Sequence, residues 1–497
     1  VSKNSRMPND KVRVGLNIAP YVYEHYSAEE FLTKYYDLRK LGFVCIPAHT
    51  PTGLVQEETL YKWAEFFAKN NICFVLYDTV GRITQDESLS ADSVVPGYWQ
   101  KILTPEIVKN IKRIAGDYFA GVTVSEMGGT ASWPKGYFKR GVMELLKSAN
   151  DMQEAKDNYV KRVSMPVEVN HDIGVDCFVS VEASAFSKYN YEAGIDISCF
   201  EMMCGDPEVM IAATRGAAIA YGREWWGAHI AHSWYGGCRH DDPLKQKRLM
   251  AEYNYAYLAG ANPIWQECGD FHIKSFGYYY TEEHEFCRAY RETWDKFAGW
   301  VANDKRPEGN PLVKVAFVHG NLDAYTGWYT GSTVWNKFDD EEWGYSAPEQ
   351  SWKVLDSVTR GSKWHDIHVF GDNDVSNAPA YGQYDIVPAD MPAELMSAYD
   401  YLIFTGWNTM TSEIYENLKA YVKNGGNLLL SAAHLNTSAK RTGELKLIHD
   451  GELADFLGCK LKPNGPRLNM GVKFVKESLM PSVLYPAIGN LDHDAIF

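Results

Sequence analysis

Four glutamates stand at or near the ends of short apolar runs. They are Glu126 in FAGVTVSE (119–126), Glu182 in VDCFVSVEAS (175–184), Glu201 in ISCFEMM (197–203) and Glu267 in NPIWQE (262–267). Taken singly, each is readily a structural carboxylate hydrogen-bonded to a loop. Gathered at one end of a set of strands they would repel one another, so as a set they point to a catalytic pair. Glycosidic-bond cleavage is the chemistry that uses such a pair. One carboxyl, with a raised pKa, protonates the leaving oxygen; the other attacks the anomeric carbon or activates a water. Glu126 runs into Gly128 and Gly129, which let a backbone approach a ligand closely, and Trp133 follows as a stacking platform. Glu267 is flanked by Trp265 and Asp270, and Glu201, in CFEMMCGD, is equally well presented. The second catalytic carboxylate therefore stays open between Glu267 and Glu201.

Other polar and aromatic residues fall at the same kind of position. His49 follows the second apolar run, Asp78 the third, and HIAHSWY carries His229, His232, Trp234 and Tyr235 at the end of the seventh. With Glu182, Trp133 and Trp265 these form the expected substrate-binding rim. His229 and His232 are three apart, which on a strand puts them on opposite faces of the sheet, so no metal site is expected from them. No CxxC pair suggests zinc. Neither a metal nor an organic cofactor is expected.

These residues need a frame that presents strand ends together. Apolar runs at 12–19, 42–49, 72–80, 119–126, 175–184, 197–203, 225–234 and 262–267 alternate with stretches of helical period such as SAEEFLTKYYDLRKL and TLYKWAEFFAKN. DPEVMIAATRGAAIAYG opens on an Asp-Pro start signal and closes near a glycine. Eight strands, mostly followed by helices, predict an α/β fold of the (β/α)8 TIM-barrel type over residues 1–305. Catalytic groups of such barrels sit at the carboxyl ends of the strands, where the βα loops are free to vary. A doubly wound sheet is the competing architecture, but no GxGxxG follows the first strand. A polar, Pro/Gly-bearing break supplies a linker at 306–312. A second series of strands and helices follows (VKVAFVHGN, APEQSWKVLDSVTRG, YDYLIFTG, SEIYENLKAYVKNGG, NLLLSAA), predicting a Rossmann-like layer over 313–480. Residues 481–497 are expected to begin a further segment or tail.

Composition narrows the partners. The formal net charge of -15, with no lysine/arginine-rich run, excludes nucleic acid as an expected partner. No apolar stretch approaches the roughly 18 residues of a membrane span, so no membrane partner is expected. The aromatic share of 14% suits either a large core or a cleft with flat stacking surfaces. Nine cysteines, several inside apolar runs, do not make a disulfide framework. The first residues lack a signal peptide's apolar segment. Compartment stays open: periplasmic or extracellular if a signal was removed, otherwise cytoplasmic.

A barrel with a glutamate after its fourth strand, followed by a Rossmann-like domain, resembles glycoside hydrolase family 42. RGAAIAYGREWWGAHI looks like that family's passage from the sixth helix to the seventh strand. The family 164 β-mannosidases share the layout. The resemblance implies a retaining, exo-acting glycosidase of β-galactosidase or β-mannosidase type acting on an oligo- or polysaccharide. It further implies Glu126 as acid/base, Glu267 as nucleophile, a glutamine-amidotransferase-like second domain without an active site, and a homotrimer. Two departures stand out. Ser125 replaces the usual asparagine before the glutamate, and HIAHSW holds no carboxylate where the clan's nucleophile ends strand seven. The missing carboxylate supports an alternative, a non-catalytic carbohydrate-binding protein on a degenerate barrel. A polysaccharide lyase is the third reading, disfavoured because few lysines or arginines sit at the strand ends.

Overall fold

The computed structural model describes residues 7–8, 10–18, 26–50, 53–77, 103–124, 128, 149–202, 207–232, 239–267, 273–275, 278–303, 306, 311–327, 335, 343–344, 346–357 and 382–462. Eight parallel strands close a barrel. They are β1 (Val14–Asn17), β2 (Phe43–Pro47), β3 (Cys73–Tyr77), β4 (Phe119–Val124), β5 (Phe178–Glu182), β6 (Ile197–Met202), β7 (Gly227–Ile230) and β8 (Ile264–Gln266). Each pairs with the next, and β8 closes on β1. A helix follows every strand: α1 (Ala28–Tyr35), α2 (Glu57–Lys69), α3 (Pro105–Ala115), α4 (Met152–His171), α5 (Ser187–Glu192), α6 (Pro207–Ala220), α7 (Leu244–Ala259) and α8 (Glu285–Asn303). The expected barrel is therefore observed, strand for strand.

Local signals start the helices where the periodicity places them. Ser27 and Glu30 form a capping box on α1, the Ser27 hydroxyl accepting from the Glu30 amide at 3.2 Å. Thr104 and Asp151 cap α3 and α4 in the same way.

Alternation along the strands separates two apolar layers. Phe43, Cys45, Cys73, Val75, Cys177, Val179, Ile197, Cys199 and Trp265 fill the lumen. Their neighbours Val44, Ile46, Phe74, Leu76, Phe178, Phe200, Ala228 and Ile264 pack outward against the helices. Strand β4 changes phase part-way. Phe119 packs outward and Ala120 inward, but beyond Gly121 it is Val122 and Val124 that pack outward. The register against β3 shifts at that point. Gly121 has φ +91, and a Cβ there would lie 1.9 Å from the Cys177 carbonyl oxygen. Gly121→Ala is therefore expected to cost about 3 kcal/mol or more, backbone strain and overpacking each adding roughly 1–3 kcal/mol. A urea unfolding midpoint checks this.

Beyond the barrel lies a second sheet of four parallel strands, β9 (Val315–His319), β10 (Asp385–Pro388), β11 (Tyr401–Thr405) and β12 (Asn427–Leu429), in the order β10-β9-β11-β12. Helix α9 (Ser412–Lys423), capped by Thr411, connects β11 to β12 and packs Ile414, Leu418 and Tyr421 onto one face. The segment APEQSWKVLDSVTRG forms only a four-residue helix and a 3-10 turn to Ser357 among its described residues. The sheet's other face lies on barrel helix α6, which is apolar nearly all round and has 12 of its 14 residues buried. A helix of that pattern is covered on both sides. Gly216 lets it approach so closely that a Cβ would sit 2.1 Å from the Ile386 carbonyl oxygen. Beside it the Arg215 guanidinium donates to Asp385 Oδ1 at 2.6 Å, Gln383 Oε1 at 2.9 Å and the Tyr384 carbonyl at 3.0 Å.

A second tie runs from α5. The buried Lys188 ammonium donates to the Gly320 carbonyl at 2.8 Å, and burial pushes its pKa down to about 8. Arg306, in the expected linker, is bonded to three carbonyls, those of Tyr257, Gly260 and Ala261, at the end of α7.

Candidate active site

The inward face of the strands turns polar toward their carboxyl ends. Continuing the lumen phase of each strand gives Asn17 on β1, Tyr77 on β3, Thr123 on β4, Glu201 on β6, His229 on β7 and Glu267 just after β8. Two of these residues, Glu201 and His229, lie at one level with Trp265 across adjacent strands, because Glu201 pairs in register with His229 and His229 with Trp265. Glu201 Oε1 is 4.0 Å from His229 Nδ1, and both side chains are buried. The His229 ring lies 4.3 Å, centroid to centroid, from Trp265. Trp265 in turn packs on Phe43 and is 1% exposed, so it belongs to the packed interior of the barrel rather than to an exposed rim.

Glu267 stands two residues above Trp265 in the same phase and is only partly buried. Its amide donates to the Ile230 carbonyl at 3.0 Å, which extends the β7–β8 ladder and sets the height of its carboxylate. Strand β7 lies between β6 and β8, so two inter-strand spacings, roughly 9–10 Å at the backbone, separate the strands that carry Glu201 and Glu267. Side chains converging on a barrel axis shorten that gap.

Burial pushes the His229 pKa down to about 3, so its ring is neutral throughout the ordinary pH range. No described residue hydrogen-bonds either ring nitrogen, and the same holds for the buried Asn17 Oδ1. A neutral imidazole offers one donor and one acceptor, the complement of a hydroxyl group.

Of the remaining expected residues Glu182, His232 and His49 are described, and the first two face away from the lumen. Glu182 is in the outward phase of β5. Its oxygens accept from the Ser184 amide at 3.0 Å, the Ser184 hydroxyl at 2.6 Å, Asn190 Nδ2 at 2.8 Å and the Gly128 amide at 3.3 Å. A Cβ at Gly128 would come within 2.3 Å of Glu182 Oε1. The close approach permitted by that glycine is thus made to a carboxylate of the protein. His232 also points outward, to Lys245 and Glu252 on α7, as its odd spacing from His229 requires on a strand. His49 pairs through its backbone with Leu54 in a short hairpin above β2. Glu126, Asp78, Trp133, Trp234 and Tyr235 lie outside the described residues.

Asn17, Tyr77 and Thr123 escaped the sequence reading. In CFVLYD the acidic Asp78 drew attention, whereas the lumen phase of Cys73 and Val75 leads to Tyr77. The strand count is eight with β7 ending at Ile230, so Glu267 belongs to β8, and the described residues 227–232 hold no carboxylate. Among the described residues, no group of three or more His, Cys, Asp or Glu is placed to hold a metal ion. No helix among them is long and apolar enough to cross a membrane.

No family model matches the chain, and no curated protein matches it in sequence. Among solved structures it is similar to the exo-β-1,4-mannosidase Op5Man5 from Opitutaceae bacterium strain TAV5, at 12% identity and a TM-score of 0.48, covering 86% of this chain and 79% of that one. It is also similar to the GH5_18 protein from Streptomyces cattleya in complex with Manb1-4GlcNAc, at 12% identity and a TM-score of 0.43, covering 84% and 98%. A third is the D-psicose 3-epimerase, at 12% identity and a TM-score of 0.31, covering 59% and 97%. What the chain itself establishes is a (β/α)8 barrel with two glutamates and a neutral histidine on its inner face at the carboxyl ends of the strands.

Proposed function

We propose that the protein is a glycoside hydrolase that removes a terminal sugar from an oligo- or polysaccharide at the carboxyl-end mouth of the barrel. The observation that carries this reading is the shared inward face of Glu201 and Glu267, with the neutral His229 on the strand between them. Glu126 is assigned as acid/base, from its position just after β4 in the sequence. Glu267 is assigned as nucleophile because it is partly exposed at the mouth, whereas Glu201 is buried beside His229. In a retaining mechanism the nucleophile and acid/base carboxyls stand about 5–5.5 Å apart. His229 and Asn17 would bond sugar hydroxyls. Specificity of the β-galactosidase or β-mannosidase type belongs to the same proposal. So do an amidotransferase-like layer without an active site over residues 313–480, for which the parallel strand order β10-β9-β11-β12 is the support, and its use in packing subunits, which rests on the resemblance alone.

The test is hydrolysis of a panel of p-nitrophenyl glycosides by the wild type. Release of nitrophenolate from one sugar, with retained anomeric configuration followed by NMR, is the expected result. The lack of a carboxylate on the described end of β7 favours a second reading, a barrel that binds carbohydrate without cleaving it. Calorimetric binding of an oligosaccharide that is not turned over, with no glycoside cleaved, would select that reading.

A further inference from the structure

Glu182 closes β5 with its carboxyl group turned away from the lumen and fully buried. A carboxylate withheld from water is costly unless its oxygens are bonded. Here each oxygen accepts two bonds from described residues. Oε1 receives the Ser184 amide at 3.0 Å and the Ser184 hydroxyl at 2.6 Å. Oε2 receives Asn190 Nδ2 at 2.8 Å and the Gly128 amide at 3.3 Å. Three of the four donors are N–H groups, which cannot accept a proton from a carboxylic acid. The ionised form, with about four lone-pair positions, matches them.

Ser184 and Asn190 are near neighbours of Glu182 in the chain, but Gly128 is 54 residues earlier, just past the end of β4. The carboxylate is fixed before it reaches that far. Asn190 accepts from the Tyr159 hydroxyl of α4 at 3.2 Å and donates to Ser180 Oγ at 3.4 Å, which sets its amide against Oε2. A Cβ at Gly128 would lie 2.3 Å from Glu182 Oε1 and 2.5 Å from Ser184 Oγ, so the contact needs glycine. An apolar residue at 182 would fill the same outward layer without the cost of a buried charge. What the carboxylate adds is a bond across to the segment that follows β4.

Glu126 stands two residues before Gly128 in the chain. We infer that Glu182 is a positioning residue that anchors this segment through the Gly128 amide and so holds Glu126 in place to protonate the leaving group. The anchor stands on the hydrogen bonds alone; its effect on proton transfer rests on the glycosidase reading.

Two readouts test it. Amide exchange at Gly128 is expected to rise roughly 10- to 100-fold in Glu182→Leu, the range of one bond to a charged acceptor. It is expected to stay near wild type in Ser184→Ala, which removes a different bond to the same carboxylate. Unchanged exchange in Glu182→Leu, or an equal rise in both variants, overturns the anchor. The second readout is leaving-group dependence on the cleaved sugar. Dinitrophenolate departs without a proton, whereas methoxyphenolate needs one from the acid/base. Glu182→Leu is expected to lower kcat/KM roughly 10- to 100-fold on the p-methoxyphenyl glycoside and less than about twofold on the 2,4-dinitrophenyl glycoside. Equal loss on both marks a merely structural carboxylate and removes the positioning role. Glu126→Gln is the reference: if it too loses equally on both, the acid/base assignment fails and the exchange result alone judges the anchor. Should Glu182→Leu fail to fold, Gly128→Ala displaces the same segment from the other side and must show the same split. If no glycoside is cleaved, the glycosidase reading falls, while exchange at Gly128 still confirms or removes the anchor.

Discussion

Glu267→Gln lowers kcat on the cleaved glycoside by at least about 10²- to 10⁴-fold, the range that a positioned carboxyl contributes to proton transfer, and by more if it is the nucleophile. Glutamine keeps the side chain's size and much of its hydrogen bonding but neither attacks the anomeric carbon nor carries a titratable proton. The fold should be unaffected, because Glu267 is partly exposed and its backbone bond to Ile230 is retained. Glu126→Gln is expected to fall into the same range. Glu201→Gln distinguishes the two candidate partners. If Glu201 only orients substrate beside His229, KM rises and kcat changes little; if it is the nucleophile, the losses at Glu201 and Glu267 exchange places. Azide refines the assignment. With the acid/base removed, azide attacks the glycosyl–enzyme intermediate and yields a glycosyl azide of retained configuration. With the nucleophile truncated to alanine, it attacks the sugar directly and inverts the configuration. Full activity in both Glu267→Gln and Glu201→Gln would remove the carboxylate pair from the mechanism.

Asp385→Ala is expected to destabilise the protein by about 3–5 kcal/mol, the cost of leaving a buried charge without its partner. Arg215 and Asp385 are each 1% exposed, and Asp385 also accepts from the Tyr399 hydroxyl at 2.8 Å. Removing the carboxylate leaves a guanidinium buried between α6 and the second sheet with neutral acceptors but without its counter-charge. Replacing both members, Arg215→Met with Asp385→Leu, should recover most of the loss, since apolar pairs of similar volume commonly match buried ion pairs. The same variant tests the architecture. Helix α6 belongs to the barrel by sequence and to the second sheet by packing, so barrel and sheet should lose structure in one transition. Two separate urea transitions, with the barrel's unchanged by Asp385→Ala, would show that α6 does not couple them.

Residue types alone determined the barrel. Each strand is a short apolar run and each helix a capped amphipathic stretch, local patterns that survive without knowledge of the partners. The same reading placed carboxylates at the strand ends, and Glu201 and Glu267 do share the lumen. It did not determine which face each side chain takes. A parallel strand buried on both sides has no polar alternation, so FVSVE contains nothing to say that Glu182 turns outward. In β4 the bulge at Gly121 shifts the phase, which no counting from the start of the strand reveals. Gly128 reads as a place for a ligand until the folded chain brings Glu182 against it. The His232–Glu252 contact joins residues 20 apart, and the α6–β10 seam joins residues about 170 apart. Local sequence fixes periodicity, and periodicity fixes elements; the facing of a doubly buried strand, and therefore which carboxylates meet, is set by closure of the barrel and the packing of its helices.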